Sequence, residues 1–284
     1  MAGHHRYYYY LTGDHRMEDV FDDVKDGDFA LLNMDPLRHF YKKEDMRHPT
    51  HARSGPDWSS FCSNWLTQWE RFHDEKYRDK ILTGIEDLKK TPLGLISGPD
   101  FEYDPKDSHL YYIGERTKGG THLQICMGAA QTWLELGDLL EDEDWKEMMA
   151  DYGRFYYLPQ EKRQQVSRGL IGDREASLPF MAAAMGAYGA AHHGDKELAK
   201  ITWQILMRSI MSDTKKDGFA QEPVENAGNQ KVLPEVPWIT TNFTSQWCLN
   251  VIMALEFIRE ELPKTMEELD QWMADFPMTE FHKA

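Results

Sequence analysis

The sequence predicts an all-α fold, an (α/α) toroid of helical hairpins, closed or incomplete, with its long loops on one rim. Three observations carry this. Tight acidic turns recur at Leu11-Thr12-Gly13-Asp14, Phe72-His73-Asp74-Glu75, Glu141-Asp142-Glu143-Asp144 and His193-Gly194-Asp195-Lys196. Their spacing of roughly 50–70 residues is that of a helical-hairpin array. Two helix types alternate around the turns, one apolar nearly all round and one amphipathic. The connections are also unequal, short at the turns but long and polar at 26–56, 91–121, 156–176 and 212–240. Hairpins wound in one sense then gather the four long loops on a single rim.

The first hairpin starts almost at Met1 and turns at 11–14. An inner helix is expected at 57–72 with Asp57 as its N-cap. Its outer partner is expected at 74–90, where Tyr77, Ile81, Ile85 and Leu88 recur at helical spacing. The next pair falls at 121–140 and 142–155, entered through Gly119-Gly120, a pair suited to a tight approach. The third pair is 177–193 and 195–211. Ser177 is placed as its cap, and Pro179 sits near the first turn, where a missing N–H costs little. A last inner helix covers 241–260. A helix lacking a polar face must be buried, and a one-sided helix can cover it. The toroid is expected to fill residues 1–262, and 263–284 to form a helical tail.

At 284 residues and 33.2 kDa the chain can build a sizeable core. No apolar run approaches the ~20 residues that cross a bilayer, so no membrane partner is expected. The N-terminus has no secretory apolar region, which points to a cytoplasmic location if Met1 is the native start. A net charge of −16 argues against nucleic acid as a partner. Local positive charge nevertheless collects in two loops, at Arg38, Lys42, Lys43, Arg47 and Arg53 and at Lys162, Arg163, Arg168 and Arg174. Such patches on an acidic body suit an anionic saccharide. Cys62, Cys126 and Cys248 make no disulfide framework and are expected as small apolar residues on the inner wall. With no His-Glu-x-x-His, Cys-x-x-Cys, phosphate-binding glycine loop or Gly-x-Ser-x-Gly elbow, no cofactor or metal is expected.

Each long loop delivers the chain to the N-terminus of an inner helix, where free N–H groups favour a carboxylate-bearing ligand. Tyr103, Tyr111, Tyr112, Tyr156, Tyr157 and Trp238 lie in the loops and offer flat faces to sugar rings, whereas Trp65, Trp69, Trp133 and Trp203 are core. Four constellations carry chemistry. The densest runs from His48 through His51 and Arg53 to Asp57 and Trp58. It combines imidazoles that can act as a base near neutral pH with an arginine that can hold a carboxylate. The second holds Tyr112, Glu115, Arg116, His122 and Gln124. The third is Gly172-Asp173-Arg174-Glu175, and the fourth joins Trp238 to Asn242.

The runs Tyr9–Asp14, His51–Ser60, Gly94–Asp104 and His122–Gly128 resemble exo-rhamnogalacturonan lyases, polysaccharide lyase family 26. The similarity covers most of the chain, about residues 7–260. It implies an α/α toroid that cleaves the rhamnose–galacturonate backbone of pectin by β-elimination. It also implies upstream β-rich domains that are missing here.

The expected function is therefore a lyase on an acidic oligo- or polysaccharide containing galacturonate. β-Elimination needs the sugar carboxylate neutralised, a base at C5 and an acid at the leaving oxygen on C4. Arg53 and Arg116 are the expected carboxylate clamps. His51 and His122 are the candidate bases, and Tyr112 is the candidate proton donor. Asp57, Trp58, Glu115, Gln124, Arg174, Trp238 and Asn242 are expected to bind substrate. A rival is an α/α-toroid hydrolase of uronic-acid oligosaccharides, with Asp57, Glu115 and Asp173 as its carboxylates. A second is a non-catalytic sugar-binding domain.

Overall fold

The four short turns share one construction in the computed structural model, which describes residues 3–114, 125, 128–168, 179–211, 222–223, 234–235 and 241–274. They join α1 (Gly3–Thr12) to α2 (Arg16–Val24), α3 (Ser60–Phe72) to α4 (Glu75–Lys89), α5 (Ala129–Leu140) to α6 (Glu143–Tyr156), and, after α7 (Gln160–Val166), α8 (Ala183–His193) to α9 (Lys196–Met211). In each, a residue with positive φ ends the first helix: Gly13, His73, Glu141 and Gly194 at 67°, 52°, 51° and 65°. An aspartate follows immediately and caps the second helix. Asp14, Asp74, Asp142 and Asp195 accept from the backbone N–H of Arg16, Lys76, Trp145 and Leu198 at 3.0–3.1 Å. The left-handed residue closes the last helical turn, and the carboxylate satisfies a free N–H of the next helix. The repeated acidic turn is thus a stop signal and a start signal placed side by side.

The chain divides into two units, Met1–Met149 with Gln164–Arg174, and Ala150–Arg163 with Glu175–Ala284. In the first, α3 is buried from Cys62 to Gln68, and α4 covers it with Tyr77, Ile81, Ile85 and Leu88. Trp65 and Trp133 are core as expected, and Trp69 is half-buried. Trp133 donates its indole N–H to Ser59 at 2.7 Å, and Trp145 donates to the Trp133 carbonyl at 3.0 Å. These bonds let large rings enter the core with their polar atoms satisfied.

In the second unit, α8 is buried from Ala183 to Ala190 apart from the half-buried Tyr188. It packs against α9 and α10 (Thr241–Ile258), and Trp203 donates to the Ile258 carbonyl at 2.9 Å. Asn250 accepts the Ala184 backbone N–H at 2.8 Å. The expectation that α10 is buried all round does not hold. Only Gln246, Asn250, Ala254 and Ile258 are buried, a stripe at every fourth residue, while Ile252, Leu255 and Cys248 are exposed. Cys62 is buried as expected, and burial raises its thiol pKa; Cys126 lies outside the described residues. In the tail, α11 (Met266–Ala274) is tied to α9 by Gln204, which donates to the Trp272 carbonyl at 2.6 Å. Among the described residues no helix is long and apolar enough to cross a membrane.

The first two long loops are more ordered than polar connections. They pair as an antiparallel sheet of β1 (Thr50–Arg53), β2 (Asp100–Asp104) and β3 (His109–Tyr112), in that order. Two further short strands, β4 (Glu222–Pro223) and β5 (Pro234–Glu235), pair in the second unit. Asp57 does not cap α3. It lies in a single wide turn, Ser54–Ser59, that precedes the helix, and Ser59 occupies the cap position. Ser177 lies outside the described residues.

Candidate functional site

The register of the three strands sorts their side chains into two faces. His51 pairs with Glu102 and Glu102 with Tyr111; Arg53 pairs with Asp100, and Asp104 with His109. Directly paired residues share a face, and neighbours along a strand alternate. His51, Arg53, Asp100, Glu102, Asp104, His109 and Tyr111 therefore form one polar face. Thr50, Ala52, Phe101, Tyr103, Leu110 and Tyr112 form the other, which is mostly buried.

Beneath the apolar face lies a buried ion pair. Asp28, fully buried, accepts from Lys80 Nζ at 2.6 Å and from the Tyr103 hydroxyl at 2.9 Å. The Lys80 ammonium also lies 4.8 Å from the centre of the Trp65 ring. Burial, followed by the Asp28 charge, pushes the Tyr103 hydroxyl pKa far up. Tyr103 is consequently a structural donor and not a platform for sugar.

On the polar face, His51 Nδ1 lies 2.7 Å from Asp35 Oδ2. The imidazole is only 1% exposed, and its Nε2 is buried without a hydrogen-bond partner. Tyr41 stacks on the ring at 4.8 Å between centroids and donates its hydroxyl to Asp100 Oδ2 at 3.0 Å. Burial alone would raise the Asp35 carboxyl pKa, but hydrogen bonds from His51 and the Leu37 N–H outweigh it and hold the value below the usual range. The carboxylate fixes Nδ1 as the donor, which leaves the Nε2 lone pair free to accept a proton. Arg53 is committed elsewhere, because Nε and Nη2 grip Asp57 at 2.7 and 3.0 Å while its backbone N–H adds a third bond to that carboxylate.

At the other side of Glu102 is a cavity of about 350 Å³, lined by Asp45, Arg47, His48, Glu102, Tyr111 and Tyr112 among others. Glu102 Oε2 accepts the backbone N–H groups of both Arg47 and His48 at 3.0 Å, which fixes that loop against the strand. The His48 and Tyr111 rings stack face to face, 3.3 Å apart and 12° from parallel. Tyr111 donates to Asp107 at 2.7 Å, and that bond pushes its pKa up to about 12.

The structure thus brings His51, Arg53 and Asp57 to one edge of the sheet. Trp58 is not available to a sugar, since it is fully buried against Trp145 and beneath Gly84. Tyr112 falls on the face opposite His51 and packs by Phe101. Tyr156 and Tyr157 are buried, and Tyr157 donates to the Pro179 carbonyl at 2.9 Å. Asn242 is exposed in the first turn of α10, in the second unit. Both oxygens of Asp57 are engaged by Arg53 in a two-pronged ion pair. Glu115, Arg116, His122, Gln124, Asp173, Arg174 and Trp238 lie outside the described residues. Asp35, Tyr41, Asp100 and Glu102 were not anticipated. The strict polar–apolar alternation in His51-Ala52-Arg53 and Asp100-Phe101-Glu102-Tyr103-Asp104 signals a half-buried strand and would have placed Glu102 and Asp100 on His51's face.

The repeated helical hairpins and a loop-built polar site define an α/α-toroid domain. The chain belongs to the family described as PcRGLX-like protein C-terminal alpha/alpha toroid domain, which matches residues 1–263. The uncharacterized protein YetA of Bacillus subtilis (strain 168) is 48% identical over 267 residues, covering 94% of this chain and 30% of YetA. The chain therefore spans about a third of the length of that relative.

Proposed function

We propose that this chain is the helical domain of a lyase that cleaves a rhamnogalacturonan-type pectin backbone by β-elimination next to galacturonate. Membership of a PcRGLX-like toroid family supports the general class. The His51–Asp35 pair is the observation that carries the chemistry. In this reading His51 Nε2 takes the C5 proton of galacturonate, and Asp35 orients the ring and offsets the charge it gains. The C5–H electron pair becomes the C4=C5 double bond, and the C4–O bond breaks. The proton for the departing oxygen comes from Tyr41, whose hydroxyl enters the same face through its stack on His51. Because His51 is 1% exposed, substrate reaches Nε2 only once the covering side chains turn aside.

That same burial favours a second reading, a sugar-binding domain in which His51 is structural. Two variants separate them. His51→Ala should lower alkene formation by about 10²–10⁴-fold in a domain that still folds, with a lower melting temperature from the lost buried ring and its bond to Asp35. Equal loss of activity and fold would assign His51 to the scaffold. Asp35→Asn should give a smaller loss and a shifted pH–rate profile. Asp35 is depressed in the fold, so its contribution to stability is present above the unfolded value of ~3.9 and lost as pH falls through the folded value. The stability gap between wild type and Asp35→Asn should therefore close in acid; a gap that widened there would contradict the assignment.

A further inference from the structure

Arg53 cannot clamp a sugar carboxylate without releasing Asp57, and Arg116 lies outside the described residues, so an acidic saccharide needs another cation among the described ones. The geometry points to the cavity beside Glu102 as a uronate subsite, with Arg47 as the group that binds the sugar carboxylate. This inference rests on the acidic-saccharide reading above and places an acidic ring of the saccharide beside His51 and not at it, since His51 does not line the cavity.

Arg47 is exposed, and its guanidinium makes no ion pair among the described residues. In the same unit Arg6, Arg16, Arg53, Arg71 and Arg78 face carboxylates within 4.0 Å; Arg38 and Arg168 also make no ion pair among the described residues, but Arg47 is the arginine among the residues lining the cavity. An uncommitted guanidinium at a cavity can offer both prongs to a carboxylate. Its backbone is also preorganised, because Glu102 holds the N–H groups of Arg47 and His48 with one oxygen at 3.0 Å each. Those two bonds hold the carboxylate against the loop, and the other acid of the cavity, Asp45, is exposed to water. The volume of about 350 Å³ lies at the small end of ligand pockets, right for one or two sugar rings. The His48 and Tyr111 rings cover one another, so the pair offers a sugar only an outer ring face. Glu102 also ties the cavity to the proposed base, since it is the direct register partner of His51.

The test uses the whole chain and a galacturonosyl-rhamnose disaccharide, whose free C4 hydroxyl leaves no glycosidic bond there to eliminate. Calorimetric titration compares it with its carboxyl-reduced counterpart on wild type, Arg47→Gln and Arg47→Lys. Wild type should prefer the acidic sugar. Arg47→Gln should weaken it about tenfold or more and leave the reduced sugar unchanged, with partial recovery in Arg47→Lys. Arg47 is exposed, so both variants should melt with wild type. Equal binding of the two sugars by wild type, no binding of either, or full affinity in Arg47→Gln would overturn the assignment. Selective binding without alkene from a longer substrate would sink the lyase and keep the subsite. Alkene formed by Arg47→Gln at unchanged KM would do the reverse.

Discussion

The polar face of the sheet and the α8–α9–α10 cluster are ordered by different means. On the sheet, polar groups answer one another: His51 with Asp35, Arg53 with Asp57, Tyr41 with Asp100, and Glu102 with two backbone N–H groups. Position there is set by directional bonds. In the cluster, position is set by volume. Alanines fill α8, and a Cβ added at Gly189 would lie 2.7 Å from the Ala150 carbonyl oxygen. Gly153 is tighter still, with its missing Cβ aimed at the Met185 carbonyl. One region should tolerate changes of size that keep its bonds. The other should tolerate changes of polarity that keep its size.

Three substitutions sharpen that contrast. Lys80→Met, at the bonded polar group beneath the sheet's other face, keeps the approximate volume but leaves Asp28 buried with only the Tyr103 hydroxyl. Stability to urea should fall by about 3–5 kcal/mol, and a loss under 1 kcal/mol would show that size matters there too. Gly153→Ala adds a single methyl to the tight crossing in the second unit. It should cost about 1–3 kcal/mol by the same assay; no loss would mean the backbone approach is loose. The smallest change is favourable. His73 is exposed and left-handed where Gly13 and Gly194 occupy the equivalent turns, so His73→Gly should gain up to about 1 kcal/mol. A lower melting temperature would show that its side chain contributes to the turn.

Helices and turns were legible because their signals are local. A left-handed residue followed by aspartate marks each hairpin, and Tyr77, Ile81, Ile85 and Leu88 mark the covered face of α4. The burial of α10 is not legible because its sequence is apolar nearly all round, while the buried residues form only the stripe from Gln246 to Ile258. The site was legible in part. His51 and Arg53 stand in a dense local run, but Asp35, Tyr41 and Glu102 reach them from 16, 10 and 51 positions away in the chain. The sheet that unites them joins two loops, and such pairing leaves only a period-two alternation in each strand. Trp58 illustrates the opposite error. Its position next to the His51–Asp57 run suggested a sugar platform, yet its ring is core.

The most direct measurement follows ultraviolet absorbance with time after mixing the chain with rhamnogalacturonan backbone, using His51→Ala as the control. β-Elimination at His51 predicts a rise from a new unsaturated uronate with wild type and a nearly flat trace with a folded variant. New reducing ends without that absorbance would mean hydrolysis, and saccharide binding with neither product would mean a binding domain; either would contradict β-elimination at His51.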